Sequence, residues 1–229
     1  MPVFQLTEDV AFPPPGLATS EGLLAVGGDL SEQRLLLAYT LGIFPWFSEG
    51  EPILWWSPDP RMVLLLEAFR PPRSLRRANR DGRFRVTMDT AFAQVMAACA
   101  TVPRAEQDGT WITDDMMAAY SRLHQSGYAH SVECWYEDEL VGGLYGISLG
   151  SCFFGESMFS TMSGASKVAL LTLIEQLKQW EFTLIDCQIY SEHLERLGAC
   201  DISRKEFLSL LETGVNAQTR AGQWSFEHD

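Results

Sequence analysis

An acid and an amide stand two positions apart in the run Thr183-Leu-Ile-Asp-Cys-Gln-Ile189. The run reads as a buried strand, and side chains two apart on a strand point to the same face. Asp186 and Gln188 therefore share a surface, set among Leu184, Ile185 and Ile189. An unpaired polar group in such a place costs about 1–3 kcal/mol. Either a partner in the fold satisfies the pair or a substrate does. A second acid lies in Gly155-Glu-Ser-Met-Phe-Ser160, where alternation puts Glu156, Met158 and Ser160 on one face and Ser157 and Phe159 on the other. With Phe153 close by, this stretch reads in two ways. It is a sheet edge with an exposed glutamate, or a pocket with one anionic group and a soft apolar lining. Two carboxylates from separate strands bordering one cleft would be a more specific arrangement than either acid alone.

Hydrophobic periodicity supplies the elements that must position these groups. Residues 1–62 read as a small N-terminal domain. Phe12-Pro-Pro-Pro-Gly16 is extended. Asp29 or Ser31 caps a helix through Leu35, Leu36, Ala38 and Tyr39, with Gly42 as its stop. Phe44-Pro-Trp-Phe47 and Trp55-Trp-Ser-Pro-Asp-Pro-Arg61 then read as proline-stiffened aromatic loops, whose tryptophans serve as core or as a binding platform. Residues 63–229 form the larger unit. A strand is expected over 84–88 and helices over 91–100 and 114–125, the latter capped by Thr113 and stopped at Gly127. Strands at 130–136, 140–147 and 152–159 make a meander turning at Gly150-Ser151. An amphipathic helix follows over 166–180, its apolar side at Leu170, Leu173, Ile174 and Leu177. The Asp186/Gln188 strand and two helices, 192–197 and 203–212, complete the chain. This α+β order resembles the GNAT-like acyltransferase fold, in which the strands flanking the long helix splay apart into a cleft. Phe159-Ser-Thr-Met-Ser-Gly-Ala-Ser-Lys167, before that helix, lacks the glycine spacing that cradles a coenzyme A pyrophosphate, which argues against a coenzyme A donor.

Composition narrows the chemistry further. Of 229 residues, 17 are basic and 30 acidic, for a net charge of −13, a balance that repels polyanions overall. The distribution is uneven. Arg70, Arg73, Arg76, Arg77, Arg80, Arg83 and Arg85 crowd one short stretch opposed only by Asp81. They form a solvated connector or a local phosphate-binding patch, the latter suited to the planar arginine fork. No apolar run is long enough to span a bilayer and the start has no secretory pattern. Five scattered cysteines without a CxxC pair favour reduced thiols in cytoplasm. No metal site is expected from the histidine and cysteine spacing. There is no Walker loop, GxGxxG or Gly-x-Ser-x-Gly elbow, so neither ATP, a nicotinamide cofactor nor a serine nucleophile is implied. His130 and His193 read as core or capping residues. Trp111 stands just before the Thr113 cap, as core filler or as a ring for stacking a base.

The motifs Phe44-Pro-Trp-Phe47, Ile53-Leu-Trp-Trp-Ser-Pro-Asp-Pro-Arg61, Gly109-Thr-Trp-Ile-Thr113, Glu139-Leu-Val-Gly-Gly-Leu-Tyr-Gly146, Phe154-Gly-Glu-Ser-Met-Phe-Ser160 and Leu184-Ile-Asp-Cys-Gln188 together resemble those of the leucyl/phenylalanyl-tRNA–protein transferase family. The resemblance runs from about Phe12 to about Phe207 and matches no motif after Leu211. It implies a bacterial cytoplasmic enzyme of the N-degron pathway. Such an enzyme moves Leu, Phe or, less well, Met from aminoacyl-tRNA to an N-terminal Arg or Lys of a protein. It implies no ATP, metal or other cofactor. By resemblance, Asp186 and Gln188 orient the attacking amine, and Glu156 steadies the ammonium or senses the acceptor's basic side chain. Phe153, Met158 and Ile185, with Ser160 beside them, bind the donor side chain. Trp46 and Trp111 hold the terminal adenosine, and Arg73, Arg76, Arg77 and Arg80 contact the acceptor stem.

Overall fold

The computed structural model describes residues 3–71, 73, 76, 82–101 and 112–226, and two sheets organise them. In the smaller sheet β1 (Phe4–Leu6) runs parallel to β2 (Leu23–Gly27). Antiparallel pairing then adds β4 (Leu54–Trp56) and, at the edge, β3 (Phe44–Pro45). Helix α1 (Glu32–Thr40) starts at Ser31, whose hydroxyl accepts from the Arg34 N–H at 3.3 Å; Asp29 in turn accepts from the Ser31 N–H at 2.8 Å. The two aromatic loops expected from sequence are in fact β3 and β4. Their strands are too short for alternation to register, and indole N–H groups tie them down. Trp55 donates to the Gly27 carbonyl at 2.8 Å and Trp56 to the Trp46 carbonyl at 2.7 Å.

The larger sheet has seven strands in the order β11-β5-β10-β9-β8-β7-β6. They are β5 (Arg61–Leu65), β6 (Arg85–Met88), β7 (Ala129–Tyr136), β8 (Glu139–Leu149), β9 (Cys152–Ser160), β10 (Leu184–Gln188) and β11 (Cys200–Ile202). On one face, α2 (Phe92–Thr101), α3 (Asp114–Gln125) and α6 (Arg204–Val215) contribute to a core that also includes Tyr39, Trp55 and Phe154. On the other, α4 (Ala165–Gln179) packs Leu170, Leu173, Ile174 and Leu177 against Phe153 and Ile185. A short α5 (Glu192–Glu195) follows β10. Thr113 caps α3 as expected, accepting from the Met116 N–H at 3.3 Å.

β5 and β11 are additions to the expected order. β5 is a fully apolar run behind a single arginine, without the period-two pattern of a half-buried strand, and β11 has three residues. Both matter to the site, because β5 pairs directly with β10 and β11 covers the outer edge of β5, so that β10 lies inside the sheet. β9 and β10 are parallel neighbours joined through α4, but they pair only from Leu184–Asp186 to Cys152–Phe154. Past that point they diverge. This is the strand–helix–strand splay expected from the sequence order, and the opening it leaves faces the end of β10.

The β8–β9 turn locks the sheet to the end of the chain. Gly150 has φ +57°, its N–H donates to the Thr219 hydroxyl at 2.8 Å, and a Cβ there would lie 2.1 Å from the Gly214 carbonyl oxygen. The Gly150→Ala variant is expected to lose about 2–4 kcal/mol, from left-handed strain of roughly 1–2 kcal/mol plus overpacking. A urea midpoint displaced by less than about 0.5 kcal/mol equivalent would show that the turn yields freely.

Candidate active site

Arg61 and Asp186 are both wholly buried and face each other across β5 and β10. Arg61 Nε donates to Asp186 Oδ1 at 2.8 Å and Nη2 to Oδ2 at 2.6 Å, a two-pronged bond. Its remaining edge donates through Nη1 to the Gly42 carbonyl at 3.2 Å. The guanidinium plane lies over the rings of Phe44 (4.8 Å) and Phe207 (4.5 Å). The polar expense foreseen for the β10 strand is thus met from within the fold: Asp186 is satisfied by an arginine that sequence reading quoted only as part of a motif.

Gln188 extends this arrangement towards the opening. A bulge interrupts the β5–β10 register between Asp186 and Gln188, and Gln188 takes φ +58°. For a residue with a side chain that conformation costs about 1–3 kcal/mol and persists only where the surroundings impose it. Here Asp186 Oδ1 accepts from the Gln188 N–H at 3.0 Å, while Gln188 Nε2 donates to Glu156 Oε1 at 3.2 Å. With its NH2 so engaged, the amide presents its carbonyl oxygen as an acceptor.

Glu156 closes the network. The Tyr39 hydroxyl donates to its Oε1 at 2.8 Å and the Tyr120 hydroxyl to its Oε2 at 3.1 Å, and the two phenols also touch each other. Burial pushes the Glu156 carboxyl up to about 7, opposed by the tyrosine hydrogen bonds and reinforced by the Asp186 charge. Burial, then the Glu156 charge, holds both phenols well above their usual range, so they stay protonated as donors. Polar contact is therefore continuous from Arg61 through Asp186, Gln188 and Glu156 to Tyr39 and Tyr120.

A cavity of about 560 Å³ opens beside this chain of contacts. Glu156 and Gln188 line it together with Trp46, Phe153, Met158 and Ile185, and with Leu144, Leu170 and Leu173 behind. Asp186 is wholly buried outside the lining and touches it through the Gln188 N–H. Alternation misplaced one pair. Tyr145 pairs with Ser157 but Gly146 with Gly155, so Glu156 is an extra residue in β9. The bulge turns Glu156 to Tyr39 and Tyr120 in one core, while Met158 packs with the opposite core. Ser160 sits outside the lining, exposed at the strand end, where its hydroxyl donates to the Met162 carbonyl at 2.7 Å. Arg73 and Arg76 are exposed, and Arg76 Nε donates to the Pro71 carbonyl at 2.9 Å. Trp111, Arg77 and Arg80 lie outside the described residues. His193 joins the lining, whereas His130 is buried in the core.

Sequence reading missed three contributors. Tyr39 and Tyr120 stand on two separate helices, and no local pattern announces that two phenols so far apart in the chain converge on one carboxylate. Arg61 did carry a signal: a lone cation heading the apolar run Met62-Val-Leu-Leu65 needs a buried anion. Among the described residues no cluster of His, Cys, Asp and Glu is arranged to hold a metal, and no helix is long and apolar enough to cross a membrane.

Comparison with known proteins agrees with the motifs. A family model described as Leucyl/phenylalanyl-tRNA protein transferase matches residues 63–212, and a model of that family's N-terminal domain matches residues 28–59. A leucyl/phenylalanyl-tRNA–protein transferase of Syntrophotalea carbinolica is 59% identical over 220 residues, covering 96% of each chain. That of Desulfatibacillum aliphaticivorans is 55% identical over 229 residues, covering 100% of this chain and 98% of the other. Among solved structures, L-PGS from Bacillus licheniformis aligns with a TM-score of 0.40 at 12% identity, over 75% of this chain and 57% of that one.

The buried pair makes a stability prediction. Removing one partner strands the other's charge, so Arg61→Ala is expected to cost about 3–5 kcal/mol. The double variant Arg61→Met with Asp186→Leu strands no charge, though it removes the partners of the Gln188 N–H and the Gly42 carbonyl, and should recover part of that loss. Urea denaturation of both checks it; a single-variant loss under about 1 kcal/mol would mean that water reaches the pair.

Proposed function

Because the chain belongs to the leucyl/phenylalanyl-tRNA–protein transferase family, we propose that its cleft between β9 and β10 is where the aminoacyl ester and the acceptor amine meet. The enzyme is an aminoacyltransferase that moves Leu or Phe from aminoacyl-tRNA to the N-terminal Arg or Lys of acceptor proteins. What supports this reading of the cleft is one juxtaposition: an apolar cavity wall opposite the Gln188 amide and the Glu156 carboxylate. Met is a weaker third donor in this proposal, and the cytoplasm, where tRNA is charged, is the proposed compartment. The division into residues 1–62 and 63–229 is likewise our reading of the chain.

The reaction needs little from the protein beyond alignment. The ester is already activated; a C–N bond forms, the C–O bond to the tRNA ribose breaks, the amine loses a proton and the ribose oxygen gains one. Holding amine and carbonyl in a near-attack geometry supplies a large part of such a barrier. Gln188 accepts an amine hydrogen on its side-chain oxygen and aims the nitrogen lone pair. Asp186 fixes Gln188 through its backbone N–H and is itself fixed by Arg61. Glu156, with a carboxyl near 7, is matched to receive the proton at neutral pH. Phe153, Met158 and Ile185 embrace the donor side chain. A methionine adapts to Leu, Phe or Met, whereas the rigid β-branch of Ile or Val fits poorly. Trp46 lies against the terminal adenosine with Trp111. Arg73, Arg76, Arg77 and Arg80 carry the acceptor-stem phosphates. Ser160 has only its sequence position in its favour as a pocket residue.

Two experiments test this. Purified protein with Leu-tRNA or Phe-tRNA and a peptide beginning in Arg should give product without ATP or coenzyme A; RNA binding without product would reduce the protein to an RNA-binding module. The pH profile tests Glu156. The single-turnover rate should rise with pH through about 7 as Glu156 ionises, and again as the acceptor amine (~7.7–8.0) loses its proton. Glu156→Gln should remove the first limb and keep the second; an identical profile would exclude Glu156 from proton transfer. Stability runs the other way. The folded chain holds this proton from 4.5 up to about 7 and the unfolded chain does not, so native stability falls across that window in the wild type only.

A further inference from the structure

The C-terminal tail, beyond the residues matched by the family model, returns to the back of the cavity. The Gly222 N–H donates to the Gly127 carbonyl at 3.1 Å, the Trp224 N–H to Asp89 Oδ2 at 2.7 Å, and the Trp224 indole N–H to the Arg220 carbonyl at 3.0 Å. Main chain and ring of Trp224 are thus both tethered. The ring is buried, stacked on His130 at 3.7 Å between centroids, with Trp180 at 4.9 Å and Phe182 at 5.9 Å. Phe153 is a further aromatic neighbour, at 6.0 Å.

Phe153 is the cavity-lining ring, and it has no room on its β8 side. A Cβ at Gly146 would lie 2.6 Å from the Phe153 ring atoms, so this ring lies directly against bare backbone. The β8 backbone bounds it on that side and Trp224 bears on it from the tail. Interiors packed at crystal-like density transmit such constraints to the next residue.

We propose that Trp224 is a positioning residue that sets the depth of the donor side-chain pocket by backing Phe153. It touches no substrate. Its size fixes how far the Phe153 ring can recede, and therefore how large a donor side chain the cavity accepts. This rests on the reading of the cavity as the donor pocket.

The test compares kcat/KM for Phe-tRNA and Leu-tRNA with one acceptor peptide. Trp224→Ala leaves a space into which Phe153 can retreat, so the Phe-to-Leu ratio should rise roughly threefold to tenfold, less than the ~10–200-fold that a whole methylene is worth in a fitted pocket. The change should appear in donor KM, with acceptor KM unmoved. Trp224→Phe, which keeps a ring and its stacking on His130, should move the ratio about twofold the same way and decides the matter if the alanine variant does not fold. Equal losses for both donors, or an unmoved ratio in a folded variant, overturn the proposal. Phe153→Leu separates the two levels. If it shifts the ratio and neither Trp224 variant does, only the backing role falls; if it too leaves the ratio unmoved, the donor-pocket reading falls with it.

Discussion

The Arg61–Asp186 pair joins more of this molecule than any other interaction described above. One guanidinium reaches Asp186 on β10, the Gly42 carbonyl just past α1, the Phe44 ring of the smaller sheet and the Phe207 ring of α6. As a stability element, a fully buried ion pair is close to neutral against well-packed hydrocarbon, because desolvation cancels most of the attraction. Its effect here is placement. Three segments distant in sequence meet β5 at a common point whose geometry is planar and two-pronged, and the backbone of Gln188 hangs from the far side of it.

That anchoring explains how Gln188 persists in a left-handed conformation beside a bulge. The unfavourable φ is local, while the bonds that enforce it run outward from Asp186 on one side and Glu156 on the other. Glu156 is held in the same manner. Two protonated phenols donate to it, which favours the ionised form, and burial disfavours that form more strongly. A carboxyl left near 7 is the result of these opposed effects. The polar side of the cleft is therefore a set of mutually constrained groups, and each owes its state to a neighbour.

The elements of the larger unit were legible from pattern because their periods are long and clean. α3 with its Thr113 cap, the β7–β9 meander and α4 all follow from cap chemistry and spacing. What failed was alternation across irregularities. Glu156 and Met158 were expected on one face, and the bulge in β9 parts them; no rule of composition announces an extra residue inside a strand. The short strands of the smaller sheet and β11 fell below the length at which periodicity speaks. The spacing of Asp186 and Gln188 did announce a polar network in a buried strand. The partners that complete it, Arg61, Tyr39 and Tyr120, come from elements whose convergence is a tertiary fact. Trp224 is the extreme case: it stands in a stretch without helical or strand periodicity, and only its burial shows that it belongs to the core.

These features fit the energetic demands of the reaction. An activated ester and a free amine need orientation more than polarising power, since the carbonyl is already electrophilic and one proton must move. A protein that supplies orientation must make its reacting neighbourhood stiff, and stiffness has to come from groups other than those that touch the substrate. Here they are layered: Arg61 behind Asp186, Asp186 behind Gln188, the tyrosines behind Glu156 and, on the apolar side, Trp224 behind Phe153. The acidic surface is consistent with the same logic. A net charge of −13 repels nucleic acid in general, so a polyanion gains only where arginines are concentrated, and Arg70 to Arg85 is the one such concentration in the chain. With the arginine stretch as the proposed seat of the acceptor stem, local attraction within a repulsive field would restrict where a tRNA can rest, which is orientation again, applied to the whole donor instead of its reacting end.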